Sequence, residues 1–535
     1  MTVVKEDKSV IILRNAIGDK KTAIEEFQKN WKGDFDKLRD FFQSFEIASS
    51  TEEDVIKPYF KDWSNIQGFG EILLRPSNYV ECAIILRTCY LLNIHLTISA
   101  GRTNLTGSAT PMGGVILSTN NLTKPSVELD IENQEATCPV GIPLEVFREE
   151  ILKLSKNNLY YPSDPTSRND AFVGGTISTN ASGFIPGERG ATRYWVREVR
   201  FLFPNGDMVD IRRGQYISKN GEFKLSYEGK SITLPVPTYE RPKIKNASGI
   251  FSDGNGVVDL LDLIIGSEGI LGMVVSCKLG LDLLSEENLE LFISLKDESS
   301  AIDFHDFLTN HFDKEFKSIT AMEYFGYNSQ KYMRHKEFLF SNENDVGIYL
   351  QIPMYDDTIE QKTDQWSSLF HAYDPSMDLD NIIVLNDPSN WKRFFEARHS
   401  IPDNALTKSK RLGGISIITD TIVPKDNFRL YLKKVHAKLN KAKIEYLLFG
   451  HLGDCHLHFH LIPKKSQEDS ALKIYDYLID LSTKLGGVYS AEHGTGKRKR
   501  NDFKKCYGNE AVKMVKRLKD AIDPHNYLNN GNLFS

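Results

Sequence analysis

Ser99-Ala-Gly-Arg-Thr-Asn-Leu-Thr-Gly-Ser108, directly after the apolar run His95-Leu-Thr-Ile98, is the stretch on which the fold turns. Gly101 and Gly107 permit close backbone approach, and Ser, Thr and Asn add short hydrogen-bonding groups. Successive N–H groups in such a turn cradle a pyrophosphate. The spacing is neither GxxxxGK(S/T) nor GxGxxG, so neither a P-loop nor a Rossmann nucleotide site is indicated. Alone, the stretch reads as well as an ordinary tight turn.

Two further segments remove that ambiguity. Pro162-Ser-Asp-Pro-Thr166 is followed by Gly174-Gly-Thr-Ile-Ser-Thr-Asn-Ala-Ser-Gly183, where small residues let a flat ring system lie almost on the backbone. Gly266-Ser-Glu-Gly-Ile-Leu-Gly272 precedes the apolar strand Met273-Val-Val-Ser-Cys277. Around these loops, short β-type runs such as Gly114–Leu117, Val199–Phe203 and Met208–Ile211 alternate with turns, which predicts an α+β domain over 55–285. Residues 1–54, with Phe27, Trp31, Phe35, Leu38, Phe41, Phe42 and Phe45 at helical spacing, read as a helical N-terminal extension. The polar stretch 214–250 reads as a long loop. A second α+β region, 286–485, carries strands at Leu289–Leu295, Val346–Ile352 and Ile444–Phe449 and an amphipathic helix over 465–485; a C-terminal segment, 486–535, follows.

At 535 residues the chain is too long for one core. With 40% hydrophobic and 26% charged residues and a net charge of −6, it lacks the concentrated basic stripe of a nucleic-acid binder. Six scattered cysteines without a CxxC pair argue against a disulfide framework or a ferredoxin-type cluster, and fit a reducing compartment. The start Met1-Thr-Val-Val-Lys-Glu-Asp-Lys8 lacks a signal-peptide core, and no run reaches the ~20 apolar residues of a membrane span. A cytoplasmic location is expected, with peripheral membrane attachment left open.

Five of thirteen histidines fall in Gly450-His-Leu-Gly-Asp-Cys-His-Leu-His-Phe-His460 and Ser490-Ala-Glu-His-Gly-Thr-Gly496. In a strand His456, His458 and His460 share one face while Leu457 and Phe459 face a core. Such a density of imidazole and carboxylate suits a metal or proton-transfer site.

In this order, the phosphate loop, GGxxxTNAxG, GSEGxLG, GHxGDxxxH and EHGxG resemble the vanillyl-alcohol oxidase superfamily. The resembling branch holds D-lactate dehydrogenase, glycolate oxidase flavin subunits and D-2-hydroxyglutarate dehydrogenase, and the likeness runs from about residue 60 onward. It implies a vanillyl-alcohol oxidase-type FAD-binding domain plus an α+β cap domain with an antiparallel sheet. It implies FAD with Ser99, Ala100, Gly101, Arg102, Thr103, Asn104 and Leu105 on the pyrophosphate. Pro162, Asp164, Gly174, Gly175, Thr176, Ser178, Thr179, Asn180, Ser182 and Gly183 would meet the flavin and ribityl chain. Glu268, Gly269 and Ile270 would approach the adenosine, and Asn529 would close on the isoalloxazine. Asn530 and Asn532 stand where the branch usually has Pro and Lys. The first loop holds no His, so noncovalent FAD is expected.

The same resemblance makes His451, His458 and Glu492 ligands of Zn²⁺ or Mn²⁺, His493 the base, and Arg398 the anchor of a substrate carboxylate. Asp454 would support the turn or a ligand, and Lys499 resembles the lysine that follows EHGxG. His456 and His460 stand where the branch often has Asn, and Ile418 where hydroxyglutarate enzymes carry Lys; a His460 charge that varies near neutral pH would alter substrate preference. The implied activity is oxidation of a small D-2-hydroxy acid. With no iron–sulfur or haem motif, electrons would leave to a quinone, cytochrome, electron-transfer flavoprotein or iron–sulfur partner. A homodimer is admitted. The rival readings are a non-redox flavin transferase resembling alkylglycerone-phosphate synthase and a noncatalytic flavin- or metal-binding protein. The single His493 of EHGxG favours the dehydrogenase over the transferase, which carries adjacent histidines there.

Overall fold

The computed structural model describes residues 7–227, 230–312, 318–379 and 382–535; the reading of the first six residues lies outside these. A four-stranded sheet orders Ala48–Ser50, Ile72–Arg75, Val115–Ser118 and Leu96–Ser99, the last three parallel. Parallel strands need a crossover, and helix Tyr79–Leu92 supplies it. Asn78 starts that helix by accepting from the amides of Val80 and Glu81, and Asn93 ends it in the left-handed region at φ 52°. A six-stranded antiparallel sheet, running from Arg14–Asn15 through Asp207–Arg212, Val196–Leu202, Met273–Gly280 and Glu135–Cys138 to Glu128–Asp130, shares one core with it.

A second unit is built on a seven-stranded antiparallel sheet: Ile382–Val384, Asn288–Leu295, Val346–Pro353, Ala321–Phe325, Glu445–His451, His456–Ile462 and Ile417–Ile418. One face packs on helices Glu298–His311, Ile359–Tyr373, Lys425–Ala442 and Glu468–Lys484. The other receives Phe394, Ala397, Ile401 and Ala405 of helix Pro388–Leu412. Strand His456–Ile462 obeys the two-residue period: Leu457, Phe459 and Leu461 enter the four-helix side, leaving the three histidines on the opposite face.

Two expectations change. The first 54 residues are not wholly helical: Val10–Ile12 pairs in parallel with Glu222–Tyr227, Arg14–Asn15 joins the six-stranded sheet, and Ala48–Ser50 joins the four-stranded one. The stretch 214–250 contains an antiparallel hairpin, Glu222–Tyr227 with Lys230–Pro235. Alternation of Phe223 and Leu225 with charged neighbours half-buries its first strand, a pattern hidden by the polar composition.

The chain finally returns to its beginning. The Leu96 amide donates to Tyr527 O at 2.8 Å, and the Asn529 amide donates to Leu96 O at 2.7 Å. Among the described residues no helix is long and apolar enough to cross a membrane.

Candidate active site

The loop after strand Leu96–Ser99 is shaped by one side chain. Asn104 Oδ1 accepts from the Thr106 amide, Thr106 Oγ1 and the Ser108 amide, each at 2.9 Å. Arg102 adopts φ 57°, and its guanidinium lies 4.3 Å above the Tyr59 ring. The amides of residues 101–105 have no acceptor among the described residues. At Gly183 a Cβ would fall 2.3 Å from Asp164 O, so only glycine lets those two loops touch.

Glu268 ties the third loop to the first and to the EHGTG segment. Its carboxylate accepts from Ser108 Oγ at 2.5 Å and from the amides of Thr495 and Gly496 at 2.6 and 2.7 Å. Asn529 locks the same corner, accepting from the Ile98 amide at 2.8 Å and donating to Glu268 O at 2.9 Å.

These loops wall a long cleft that is open to solvent and joins the first glycine-rich loop to the EHGTG segment. Ala100 to Leu105, Asp164, Gly174, Gly175, Thr176, Ser178, Thr179, Ser182, Gly183, Glu268, Gly269, Asn529, His451, Glu492 and His493 all line it. Thr119 Oγ1 and Ser182 Oγ in its wall are buried without a hydrogen-bond partner. Free loop amides, orphan hydroxyls and small residues are what FAD requires, so the residues present fit that cofactor. Gly175 meets only Ala100 Cβ, at 3.3 Å, on its cleft side. Gly175→Leu is expected to weaken FAD binding about 5- to 150-fold, the equivalent of ~1–3 kcal/mol of overpacking. Flavin-to-protein ratio after dialysis measures this, and full retention would refute the cleft as the flavin site.

Six predicted residues do not line the cleft. Ser99 is buried in the core, and Pro162 is buried beside Tyr161. Asn180 accepts from the Arg193 amide at 2.9 Å. Ile270 packs in the core, its carbonyl accepting from Lys519 Nζ. Arg398 donates to Glu323 at 3.3 Å and lies 4.6 Å over Phe184, the ring that forms the wall in its place. His458 stands behind Glu492.

The histidines converge on Glu492. Nε2 of His458 and of His493 each lie 3.5 Å from Oε1, and Nε2 of His451 lies 3.6 Å from Oε2. Two Nδ1 atoms are turned away: His451 Nδ1 pairs with Glu323 at 2.6 Å, and His458 Nδ1 donates to Thr419 O at 2.9 Å. Such outward bonds hold the tautomer that presents Nε2 to a metal, so the donor set fits a divalent cation. Burial opposes a charge on His451, but Glu323 outweighs it and raises the group to about 9. Burial drops His458 to about 3. His460 bonds Ser416 Oγ at 2.6 Å, and burial lowers it to about 4; its charge therefore does not vary near neutral pH, contrary to the sequence expectation.

Three groups escaped the sequence reading. Asp420, fully buried, accepts from the His493 amide at 3.0 Å and from Lys499 Nζ at 2.8 Å, and its Oδ2 lies 3.3 Å from His493 Nδ1. Lys245 Nζ sits between Glu492 Oε2 at 3.3 Å and Asp454 Oδ2 at 3.5 Å. Glu323 joins His451 to Arg398. Asp420 carries no motif of its own between Thr419 and Thr421, and Lys245 falls in the stretch read as a loop.

Residues 71–212 match the model of the FAD binding domain, and 329–533 that of the C-terminal domain of FAD linked oxidases. D-2-hydroxyglutarate dehydrogenase of Stutzerimonas stutzeri is 23% identical over 91% of this chain and 96% of its own. D-lactate dehydrogenase of Anaerostipes hadrus is 23% identical over 86% and 89%. The solved structure of p-cresol methylhydroxylase superposes with a TM-score of 0.67 at 15% identity, covering 94% of this chain and 97% of that one. The chain thus carries the FAD binding domain in one unit and the C-terminal domain of FAD linked oxidases in the other, on a fold shared with p-cresol methylhydroxylase, and the relatives it resembles over most of its length are named D-2-hydroxyglutarate and D-lactate dehydrogenases.

Proposed function

We propose that the chain oxidises a D-2-hydroxy acid to the 2-oxo acid and passes the two electrons to an external acceptor. The observation that carries this is the clustering of His451, His458 and His493 on Glu492, whose carboxylate lies in the wall of the cleft with His458 behind it. When bound, FAD supplies the acceptor for the Cα hydride, and a divalent metal supplies a Lewis acid that makes the hydroxyl more acidic. His451, His458 and Glu492 would hold the metal. His493 Nε2 takes the hydroxyl proton, while Asp420 at Nδ1 fixes the ring and stabilises its positive charge. Arg398, held by Glu323 and stacked over Phe184 behind the cleft wall, would anchor a substrate carboxylate with its guanidinium.

Anaerobic mixing with lactate, glycolate, 2-hydroxyglutarate and bulkier D-2-hydroxy acids tests the reading. Stable bleaching of the flavin by at least one is expected. Metal-replete, flavin-replete protein that bleaches with none of them would sink it.

A further inference from the structure

We propose that His456 is an additional protein ligand of the metal centre, giving this chain three imidazoles and one carboxylate around the ion; this rests on the metal reading above. Enzymes of the resembling branch often carry Asn at this position, whereas this chain carries an imidazole.

Strand geometry puts the ring there. His451 and His456 are direct cross-strand partners across the short turn Leu452–Asp454, and His458 is two residues further along the same face. Ligand atoms of His451, His456, His458 and Glu492 all lie within 4.8 Å of one another. His456 is fully buried, and its Nδ1, on the side of Glu492, makes no hydrogen bond. A buried, unpaired ring nitrogen costs free energy unless a partner arrives. The partners are at hand. Nε2 lies 3.1 Å from Asp420 Oδ1, and Nδ1 turns toward Glu492 Oε2 at 3.9 Å. His456 thus repeats the pattern of His451 and His458: one nitrogen faces an oxygen outside the cluster, and the other faces Glu492. His460 is the internal contrast. It shares the strand face, but its Nε2 is spent on Ser416 and it lies outside the cluster.

Three imidazoles favour Zn²⁺ over Mn²⁺, which prefers oxygen-rich sets, and a fourth protein ligand leaves fewer positions open to substrate. Co²⁺, whose visible spectrum reports ligand number and type, tests the assignment on the full-length flavoprotein after chelation. His456→Asn is expected to weaken Co²⁺ binding at least about 10-fold and to shift the visible bands, whereas His460→Asn changes neither. His456→Cys is expected to keep Co²⁺ and add a thiolate-to-cobalt band in the near ultraviolet. Retained flavin reports a folded site in each variant. Wild-type affinity and spectrum in His456→Asn, while His451→Asn loses the ion, would overturn the assignment, as would a His456→Cys protein that binds Co²⁺ without the new band. A wild-type protein that takes up no Co²⁺ would instead overturn the metal reading itself, and His456 with it.

Discussion

Replacing His493 with Ala is expected to slow reduction of bound flavin by a D-2-hydroxy acid roughly 100- to 10,000-fold, the usual contribution of a positioned proton acceptor. The ring lines the cleft, with Nε2 near Glu492 and Nδ1 facing buried Asp420. Its backbone amide, rather than its ring, donates the 3.0 Å bond to Asp420, so the loop should keep its path without the imidazole. FAD content should therefore match the parent protein. Single-turnover reduction in an anaerobic stopped-flow instrument measures the loss; an unchanged rate would remove His493 from the reaction, and lost flavin would make its role structural.

The second large effect concerns stability. Lys245→Met should destabilise the protein by about 3–5 kcal/mol at neutral pH, because it removes the ammonium held between two buried carboxylates and leaves Asp454 the Gly187 amide and Glu492 the nearby His451. Burial alone would raise Glu492, yet Lys245 and His451 hold it well below the usual carboxylate range. A depressed group stabilises the fold above its unfolded value of ~4.3 and loses that contribution as pH falls through the folded one. Without Lys245 much of this contribution disappears, so the deficit should be largest near neutrality and shrink toward acid. Urea midpoints of both proteins across pH measure it; equal midpoints at neutral pH would show that the ammonium carries no such load.

Loops and strands were legible where composition and period agree. The glycine-rich segments at 99–108, 174–183 and 266–272 declare themselves because small residues are required where two backbones touch, as Gly183 does against Asp164. His456–His460 declares its face because a strand period of two separates imidazole from Leu457 and Phe459. Charge partners remained hidden. Nothing local distinguishes Asp420, Lys245 or Glu323 from surface charges, since each acquires meaning from residues 70 or more positions away. Asn180, small and polar within a flavin-type segment, reads as a cofactor contact, yet its left-handed φ of 50° points its amide to Arg193.

The bond from the Ile98 amide to Asn529 spans 431 residues. At ribosomal speeds of ~5–20 residues per second, strand Leu96–Ser99 waits about 20–90 s for the partner that closes its corner. Strands 72–75, 96–99 and 115–118 can pair long before then, but the corner shared by Glu268, Asn529 and Gly496 cannot. The corner therefore cannot close until Asn529 has been made, so a nascent chain halted before that residue is expected to stay colourless.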